Sequence, residues 1–448
     1  MAWSQGFLHA RHHLAFIIGL CLAVLIAWQA ELHMPRPIQA WIDNFSDVLH
    51  IDAGFPQALA KPVALTDEEK HWARVAWKYF QNNYQTETGM INSVDGYPST
   101  SLWDLGSYLM GALSARELGI LSEDELTERI GNLLDHLAKI ELVDGKLPNK
   151  AYNTKTMQMT DYNNRVVKSG VGWSALDIAR FGVPLQIIVW RHPQLARQAK
   201  EVINRWHFTS MVRGGELMTG TMDPSGHLTR NQEGRFGYEQ YGAKSLTFLG
   251  LDVTKAARYD VGVKVMLVDG QSIAYDERLP RFHGMTHNAV LSEPYILEGV
   301  EFGYNAITLP LAQSVLQAQI NRYDATGVLT AVSEDNIDQA PWFVYNSVLN
   351  DMTPWAAFDP DHHDASAFRT LSTKAAMGWA ELFKSPYSLK LKEALRDLYD
   401  ENRGWFSGRY EGSKKINSAM TANTNGVVLE ILAYKARGPL LTLATKKR

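Results

Sequence analysis

The sequence contains one cysteine in 448 residues. A single thiol excludes an intramolecular disulfide and any cysteine-rich zinc or iron–sulfur site. Positive charge is not in excess either, since 44 Lys and Arg stand against 48 Asp and Glu, for a formal net charge of −4. Nucleic-acid binding depends on a basic surface, so the composition argues against it. Hydrophobic residues make up 46% and aromatic residues 10% of the chain, which is typical of a globular protein.

A continuously apolar run, LAFIIGLCLAVLIAW, occupies residues 14–28. Extended to Leu32, it reaches the length that a helix needs to cross the hydrocarbon core of a membrane. Cleavage as a signal peptide is one alternative, but Trp28 stands where cleavage requires a small side chain. A buried helix of a soluble domain is the other alternative. The run therefore predicts an uncleaved transmembrane anchor over residues 14–32.

The flanks of this anchor predict its orientation. Arg11 would hold residues 1–13 in the cytoplasm, because basic flanks stay on the inner side of the membrane. The bulk of the chain would then face the periplasm, and the lipid bilayer of a bacterial inner membrane would be a partner of this single-pass protein. Residues 33–65 contain four prolines and are predicted to form a stalk, and residues 438–448 a basic tail.

Helical segments alternate with long loops over residues 66–437. Thr66 and Ser122, each followed three residues later by Glu, form capping boxes that begin helices. Five of the six long loops contain a turn glycine followed by strand-like residues. After each loop comes an aromatic-rich helix start, and these starts are predicted at Ser101, Gly170, Phe236, Ser292, Ala340 and Thr424.

This repetition indicates a unit that buries its apolar face against neighbouring copies. Six helical hairpins that close on themselves give an all-α fold, an (α/α)6 toroid with short β-hairpin-like loops, and an open solenoid is the alternative. The inner helices of a ring are crowded, so we expect them to be rich in small residues. In a toroid the six helix starts gather around one cavity, and their polar residues, Asp177 among them, would converge there.

Three segments carry a family resemblance. They are SLWDLGSYLMGALSARELG from Ser101, GKLPNKAYNTKT from Gly145 and GVGWSALDIARF from Gly170. In this order they resemble the bacterial glucoamylase-like toroid proteins, in particular the membrane-associated family known as domain of unknown function 3131. The resemblance covers residues 66–437 and implies the toroid fold. Related toroids include glucan hydrolases and transglycosylating domains, so it also implies action on carbohydrate.

Acidic residues at the helix starts are candidates for catalysis. Glycoside hydrolysis uses two carboxyl groups across the scissile bond, one protonated and one ionised. The four candidates are Glu239, Glu293, Asp104 and Asp161. Glu239 stands between two tyrosines, which would raise its pKa. The first three could instead cap their helices, and Asp161 could instead serve a loop turn.

Aromatic and amide side chains at the same starts are candidates for sugar binding, because rings stack on sugars and amides bond to hydroxyls. The predicted substrate-binding residues are Trp103, Tyr152, Trp173, Tyr238, Tyr241, Tyr295, Trp342, Asn346 and Asn423. For the aromatic residues, a place in the hydrophobic core is the alternative. No cofactor is predicted, and the adjacent His362 and His363 with their neighbouring aspartates are interpreted as a solvated loop, with no metal site.

Together these features predict a membrane-anchored periplasmic enzyme. It would hydrolyse or transglycosylate a glucan or exopolysaccharide through paired carboxylates, with a polysaccharide or oligosaccharide as its partner. Two alternatives stay open. One is a non-catalytic glycan-binding or scaffold subunit of exopolysaccharide synthesis or export machinery, and the other is a polysaccharide lyase on the same fold.

Overall fold

A computed structural model describes residues 18–25, 57–58, 61–284 and 286–441. Residues 1–48 form a unit of their own, in which residues 18–25 are helical with exposed side chains. Most of the anchor predicted over residues 14–32 therefore lies outside the described residues. Among the helices that the structure describes, none has the length and apolar character needed to span a membrane.

The second unit, which begins at residue 49, is built on α-helices. In chain order its described α-helices are α1 (Asp67–Asn83), α2 (Leu102–Glu117), α3 (Glu123–Leu137), α4 (Ala175–Arg191), α5 (Ala196–Arg205), α6 (Tyr238–Phe248), α7 (Glu293–Leu297), α8 (Thr308–Thr326), α9 (Thr373–Leu382), α10 (Pro386–Ala394) and α11 (Ala422–Arg437). Helix α7 continues directly as a π-helix, Glu298–Phe302.

Six of these helices form a closed inner ring. Contacts run from α2 to α4, α6, α7, α9 and α11, and α11 packs in turn against α2. Helices α1, α3, α5, α8 and α10 lie outside this ring. Between α6 and α7, where a sixth outer helix would stand, the chain forms turns that bury Val253 and Ala256. The closed ring confirms the predicted toroid and excludes the open solenoid.

Short strands occupy the loops that precede the inner helices, and all their pairings are antiparallel in the described residues. The strands are β1 (Gln57–Ala58), β2 (Ser99–Thr100), β3 (Leu142–Val143), β4 (Leu147–Pro148), β5 (Ala151–Asn153), β6 (Met159–Thr160), β7 (Val212–Arg213), β8 (Glu216–Met222), β9 (Leu228–Gln232), β10 (Val263–Val268), β11 (Gln271–Asp276), β12 (Ala289–Val290), β13 (Glu334–Asn336), β14 (Phe343–Asn346), β15 (Leu349–Asn350), β16 (Thr353–Pro354), β17 (Ala357–Phe358), β18 (Thr370–Ser372), β19 (Phe383–Lys384), β20 (Tyr399–Asp400), β21 (Gly404–Tyr410) and β22 (Ile416–Met420).

These strands form small separate sheets, one or two before each inner helix. The orders are β2-β5-β6 and β3-β4 before α4, β7-β8-β9 before α6, and β10-β11 before α7. Before α9 lie β12-β15-β16 and β13-β14-β17, and β20, β18 and β22 all pair with β21 around α11. These sheets are therefore extensions of the loops, as predicted, whereas the remaining sheet, β1-β19, lies at the C-terminal end of α9.

The predicted helix start at Ala340 is wrong. The segments at Ser101, Gly170, Phe236, Ser292 and Thr424 each run into an inner helix, but Ala340 leads into strand β14. Along this strand Val344 and Asn346 are buried, while the alternate residues Phe343 and Tyr345 are partly exposed. This period of two suits a sheet and not a helix. The fifth inner helix is instead α9, TKAAMGWAEL, which has the small residues that a crowded ring needs.

Other local predictions are confirmed. Thr66 and Glu69 exchange both bonds of a capping box at the start of α1, with Glu69 N–H donating to Thr66 Oγ1 at 3.2 Å. Ser122 and Glu125 do the same for α3. Small residues also let inner helices approach closely, because a side chain at Gly426 of α11 would run into the backbone carbonyl of Ser107 in α2.

A charged cluster lies in the centre of the ring. Arg180 of α4 pairs with Glu301 of the π-helix and, at 2.5 Å, with Glu430 of α11, and all three side chains are fully buried. Tyr241 of α6 donates to Glu301 at 2.9 Å. The guanidinium also lies 5.9 Å from the centre of the Trp103 ring in α2. One arginine thus ties together five of the six inner helices.

Candidate active site

The first turns of the inner helices interact across one cleft. Consecutive inner helices are separated by a returning outer segment, so they all begin on the same face of the ring. Ser107 Oγ of α2 donates to Asn423 Oδ1 of α11 at 2.9 Å. Asn423 Nδ2 in turn donates to Glu293 Oε1 of α7 at 2.9 Å. The convergence of helix starts that the toroid predicted is therefore present.

Glu293, a predicted catalytic residue, is held in a buried ion pair. Its Oε2 faces Nζ of Lys374 from the first turn of α9, and both side chains are buried. Lys374 Nζ also lies 3.8 Å from Asp335 Oδ1. With Asn423 on its other oxygen, Glu293 has both carboxylate oxygens engaged. These contacts suit an ionised group with a structural role in the cleft. Loss of charge on either partner would leave the other buried and unpaired, which is strongly destabilising.

Glu239, the first candidate for a general acid, is also engaged on both oxygens. Gln232 Nε2 donates to Oε1 at 2.8 Å, and the Arg278 guanidinium pairs with Oε2. Arg278 is itself fixed by Asp276 at 2.6 Å. Burial raises the pKa of Glu239, although Arg278 opposes that shift. This salt bridge, together with the bond from Gln232, occupies both carboxylate oxygens of Glu239, so neither is free to bind a ligand.

Asp104 and Asp161 have different surroundings. Asp104 Oδ2 accepts hydrogen bonds from Ser93 at 2.6 Å and from the N-cap Ser101 at 2.8 Å, and burial raises its pKa. It is partly exposed and lies in the first turn of α2. Asp161 Oδ1 accepts the backbone N–H groups of Asn163 and Arg165, both at 2.9 Å. Asp161 therefore closes a turn, which is the alternative that its loop position had left open.

Two acidic residues meet at the N-terminus of α4. Asp177 Oδ1 and Glu233 Oε1 lie 2.9 and 2.8 Å from the same Ser174 Oγ. A hydroxyl has one hydrogen, so it donates to one carboxylate only. Glu233 also accepts the N–H of Ala175 at 2.5 Å. Because that N–H and the helix N-terminus favour a negative charge, Glu233 is the ionised member and Asp177 carries the proton.

The electrostatics of this pair agree with that assignment. Burial, and then the negative charge of Glu233, raise the pKa of Asp177 to about 7. Burial also raises the pKa of Glu233, but the Ser174 hydroxyl and the backbone of α4 stabilise its charged form. Two neighbouring carboxyl groups that share one proton at neutral pH are a common source of acid catalysis.

Glu334 forms a second acidic position, on β13. Its Oε1 accepts a hydrogen bond from the Tyr238 hydroxyl at 2.6 Å. Burial, and then the charge of Glu293, raise the pKa of Glu334 to about 7. The side chain is partly exposed, so unlike Glu293 it is accessible. A carboxyl group with a pKa near neutrality that reaches solvent is suited to move a proton.

Two tyrosines respond to the charges of these acidic residues. Burial, and then the charges of Glu334, Tyr162, Asp177 and Glu233, raise the pKa of Tyr345. Tyr162 is exposed at its ring, while crowding by the protein and the charges of Asp177 and Glu233 raise the pKa of its hydroxyl. The site therefore combines partly exposed acidic groups with phenols.

The predicted sugar-binding residues divide into two groups. Three of them are partly exposed at the cleft: Trp103, Tyr238 and Asn423. The rings of Trp103 and Tyr238 meet edge to face at 5.5 Å. Trp342 is exposed. The other five belong to the core, because their polar atoms or rings are enclosed by neighbouring elements: Tyr152, Trp173, Tyr241, Tyr295 and Asn346. Trp173, for example, donates its ring N–H to Met218 O at 3.1 Å.

Sequence reasoning did not select Asp177, Glu233 or Glu334 as catalytic candidates. Asp177 was expected to face the cavity but had no assigned role. Glu233 precedes the Gly234 turn and Glu334 lies in a strand that was not predicted, so no helix-start pattern marks either of them. Their only signal in the sequence is an acidic residue near the end of a long loop.

A group of possible metal ligands lies on an exposed loop. Ligand atoms of Asp359, Asp361 and His363 all fall within 4.8 Å of one another. However, Asp359 Oδ1 already accepts the backbone N–H groups of Asp361 and His363, both at 2.9 Å, and its other oxygen lies 3.0 Å from His363 Nδ1. These bonds explain the cluster as a closed turn.

The fold and the site together define a class of protein, an (α/α)6 toroid with an acidic, tyrosine-lined cleft at the N-terminal ends of its inner helices. Residues 71–438 match the model of the family described as protein of unknown function, DUF3131, and the chain belongs to that family. The match confirms the resemblance that the helix-start motifs had indicated. Among curated proteins, no sequence matches this chain.

Solved structures with the same fold share little sequence with this chain. A protein of Bacteroides caccae, provisionally named a glucoamylase, is 11% identical, with a TM-score of 0.59 over 85% of this chain and 96% of its own. An endo-β-1,2-glucanase from Chitinophaga pinensis, solved with sophorotriose and glucose, is 12% identical, with a TM-score of 0.58 over 85% and 95%. That of Talaromyces funiculosus, solved with sophorose, is 9% identical, with a TM-score of 0.58 over 85% of each chain.

Proposed function

We propose that this protein is a glycoside hydrolase or transglycosylase that acts on a glucan or exopolysaccharide. The observation that carries the proposal is the pair of partly exposed carboxyl groups, Asp177 and Glu334, each with a pKa raised to about 7. Asp177 shares the Ser174 hydroxyl with Glu233, and Glu334 accepts a hydrogen bond from the Tyr238 hydroxyl. The phenol groups of the site and the partly exposed indole of Trp103 suit a sugar chain, which stacks on rings and bonds to polar groups.

In this mechanism Asp177 is the general acid. It gives its proton to the glycosidic oxygen as the bond from that oxygen to the anomeric carbon breaks. Glu334, oriented by Tyr238, is the general base, which takes a proton from the water that attacks the anomeric carbon. A sugar hydroxyl in place of water would give transglycosylation with the same proton movements. Between turnovers Glu334 releases its proton to solvent and Asp177 takes one from solvent, and the negative charge of Glu233 beside Ser174 favours this return of Asp177 to its protonated form.

The choice of substrate to test first comes from the structural neighbours. Two of them are endo-β-1,2-glucanases that were solved with sophorotriose or sophorose. β-1,2-Glucan is therefore our first proposed substrate. We also propose that the apolar run over residues 14–32 anchors the protein in the bacterial inner membrane, with the toroid on the periplasmic side, as the sequence predicted.

Incubation of the full chain with β-1,2-glucan and a panel of neutral and acidic glycans tests the proposal. New reducing ends, or longer products formed at constant reducing ends, are expected. An unsaturated product that absorbs in the ultraviolet would instead establish a lyase. Measurable binding without any product would favour the scaffold alternative. Either of those two results would overturn the proposed reaction.

Replacement of Tyr238 by Phe is expected to shift the pH profile. The hydroxyl stabilises the ionised form of Glu334, so its loss raises the pKa of that base further. A base must be ionised to act, and the acidic limb of kcat/KM therefore moves to higher pH, by on the order of one unit for one hydrogen bond to a charged group. The basic limb, set by Asp177, stays in place.

The matched control for this shift is Tyr410→Phe. Tyr410 donates to Asp338 at 2.6 Å, a bond of the same kind to a carboxylate that has no role in the proposed mechanism. That variant is expected to leave the pH profile unchanged. If both variants move the acidic limb equally, or if Tyr238→Phe moves only the basic limb, Glu334 is not the base.

A further inference from the structure

The face of the toroid opposite the cleft exposes aromatic side chains. The inner helices begin at the cleft, so their C-terminal ends lie on the opposite face. Trp190, next to the end of α4, is 49% exposed, and Phe248, the last residue of α6, is 53% exposed. Their rings meet edge to face at 5.8 Å, and Phe248 stacks on Phe302 at 6.4 Å. We call these three residues the lower aromatic patch.

The N-terminal part of the chain reaches the toroid at this same face. Strand β1 pairs with β19, which directly follows the C-terminal end of α9. Val63 N–H then donates to Lys435 O, in the last turns of α11, at 2.8 Å. Residues 57–63 therefore lie at the ends of the inner helices and not at the cleft.

A shallow pocket lies between the later turns of α2 and α4. Half of its lining is apolar, from Met110, Leu113, Ile187 and Leu440, and the other half is polar and includes Arg191, which pairs with Glu117 at 2.5 Å. Trp190 stands next to Arg191, and an indole beside charged side chains is the combination that membrane proteins place in the interfacial region of a bilayer.

We propose that the face opposite the cleft, called here the lower face, rests on the lipid bilayer. Trp190 and Phe248 are inserted among the headgroups, and the cleft is directed away from the membrane. This inference rests on the proposed membrane anchor and is independent of the proposed reaction. Only 24 residues separate Leu32 from Gln57. Even fully extended, a chain of that length spans no more than about 80–86 Å, which keeps the toroid at high effective concentration near the surface.

Insertion of aromatic rings, and not charge, is the force that this surface offers. The acidic first turns of α1 and α3 lie beside the lower face, because Glu69 pairs with Lys435 at the end of α11 and Glu123 with Arg116 at the end of α2. Basic residues in the last turns of α2, α4 and α11 stand beside these acids, so the face carries charge of both signs and offers little net attraction to anionic lipid. We therefore expect docking on phosphatidylcholine as well as on anionic bilayers, and little weakening at high salt.

The test uses the full chain in phosphatidylcholine nanodiscs. In a Cys21→Ser background, Phe248→Cys is labelled with an environment-sensitive fluorophore, and lipids with a nitroxide near the headgroup act as quencher. The matched control is Phe282→Cys, which is 71% exposed in the loop before α7, on the cleft side. Quenching at position 248 is expected to exceed that at position 282 by about twofold or more, since only the docked face reaches the interface.

Equal quenching at the two positions, or no quenching at position 248, would overturn the proposal. The fluorophore at position 248 could also be shielded from water without being quenched by the lipid. That result would show that protein, such as residues 26–56 of the chain itself, covers the lower aromatic patch, and it would also overturn the proposal. Incorporation into the discs is measured separately by co-elution with lipid. Its absence would refute the anchor, whereas incorporation without quenching would refute the docked orientation alone, and neither result bears on glycan cleavage.

Discussion

Asp177→Asn is expected to lower kcat for cleavage of the glucan by about 10²- to 10⁴-fold, the usual contribution of a general acid. The amide keeps the size of the side chain and its bond to Ser174, so the fold should be retained. The measurement is the initial rate of reducing-end formation, together with circular dichroism to confirm folding. Asp161→Asn, on a surface turn, is the control and should leave the rate unchanged.

The leaving group separates the acid from the base. An aryl glycoside of the accepted sugar has a leaving group that departs without a proton, so Asp177→Asn should cleave it at a rate close to that of the unaltered protein. Glu334→Gln should be inactive on the aryl glycoside and on the glucan alike, because both reactions need an activated water. Normal glucan cleavage by Asp177→Asn would refute the assignment of Asp177 as the general acid. If both variants lost activity on the aryl glycoside equally, the roles of acid and base would be wrongly divided between Asp177 and Glu334.

Arg180→Met is expected to lower the free energy of unfolding by about 3–5 kcal/mol, since it leaves buried carboxyl groups without their cation. Glu301 and Glu430 would both lose their ion pair in the centre of the ring. Urea unfolding followed by tryptophan fluorescence gives the difference. Arg197→Met removes an ion pair to Glu201 that is largely exposed and should change the unfolding free energy by less than about 1 kcal/mol.

A triple variant, Arg180→Met with Glu301→Gln and Glu430→Gln, distinguishes lost charge balance from lost packing. Neutral amides need no cation, so much of the stability should return. If Arg180→Met alone were no more harmful than Arg197→Met, the central cluster would not hold the ring together. If the triple variant were as unstable as the single one, loss of side-chain packing and not unpaired charge would be the cause.

Periodic and local features were predictable from the sequence. The capping boxes at Thr66 and Ser122 depend on residues three apart, and the inner-helix starts depend on a loop glycine followed by small and aromatic residues. The one wrong start, at Ala340, had the aromatic content of the others. Side-chain burial alternates along strand β14, which follows Ala340. That alternation becomes visible only once β13 and β17 are seen to pair with β14.

The candidate site was less predictable, because the role of a carboxyl group depends on its partners. Glu239 and Glu293 stand at helix starts, as predicted, but Arg278 and Lys374 engage them. Arg278 lies 39 residues from Glu239, and Lys374 lies 81 residues from Glu293, so no local pattern reveals these pairs. The same holds for Glu334, whose bond to Tyr238 spans 96 positions.

The sequence by itself determined the toroid, its single functional face, the absence of disulfide or cysteine-based chemistry, and the set of acidic and aromatic residues near the cleft. Those properties follow from composition, from spacing along one helix and from the repetition of one unit. Only the tertiary structure decided which carboxyl groups are neutralised by a buried cation and which reach the cleft with a pKa near 7. That decision depends on burial and on charges brought together from distant loops, and short-range sequence patterns carry neither.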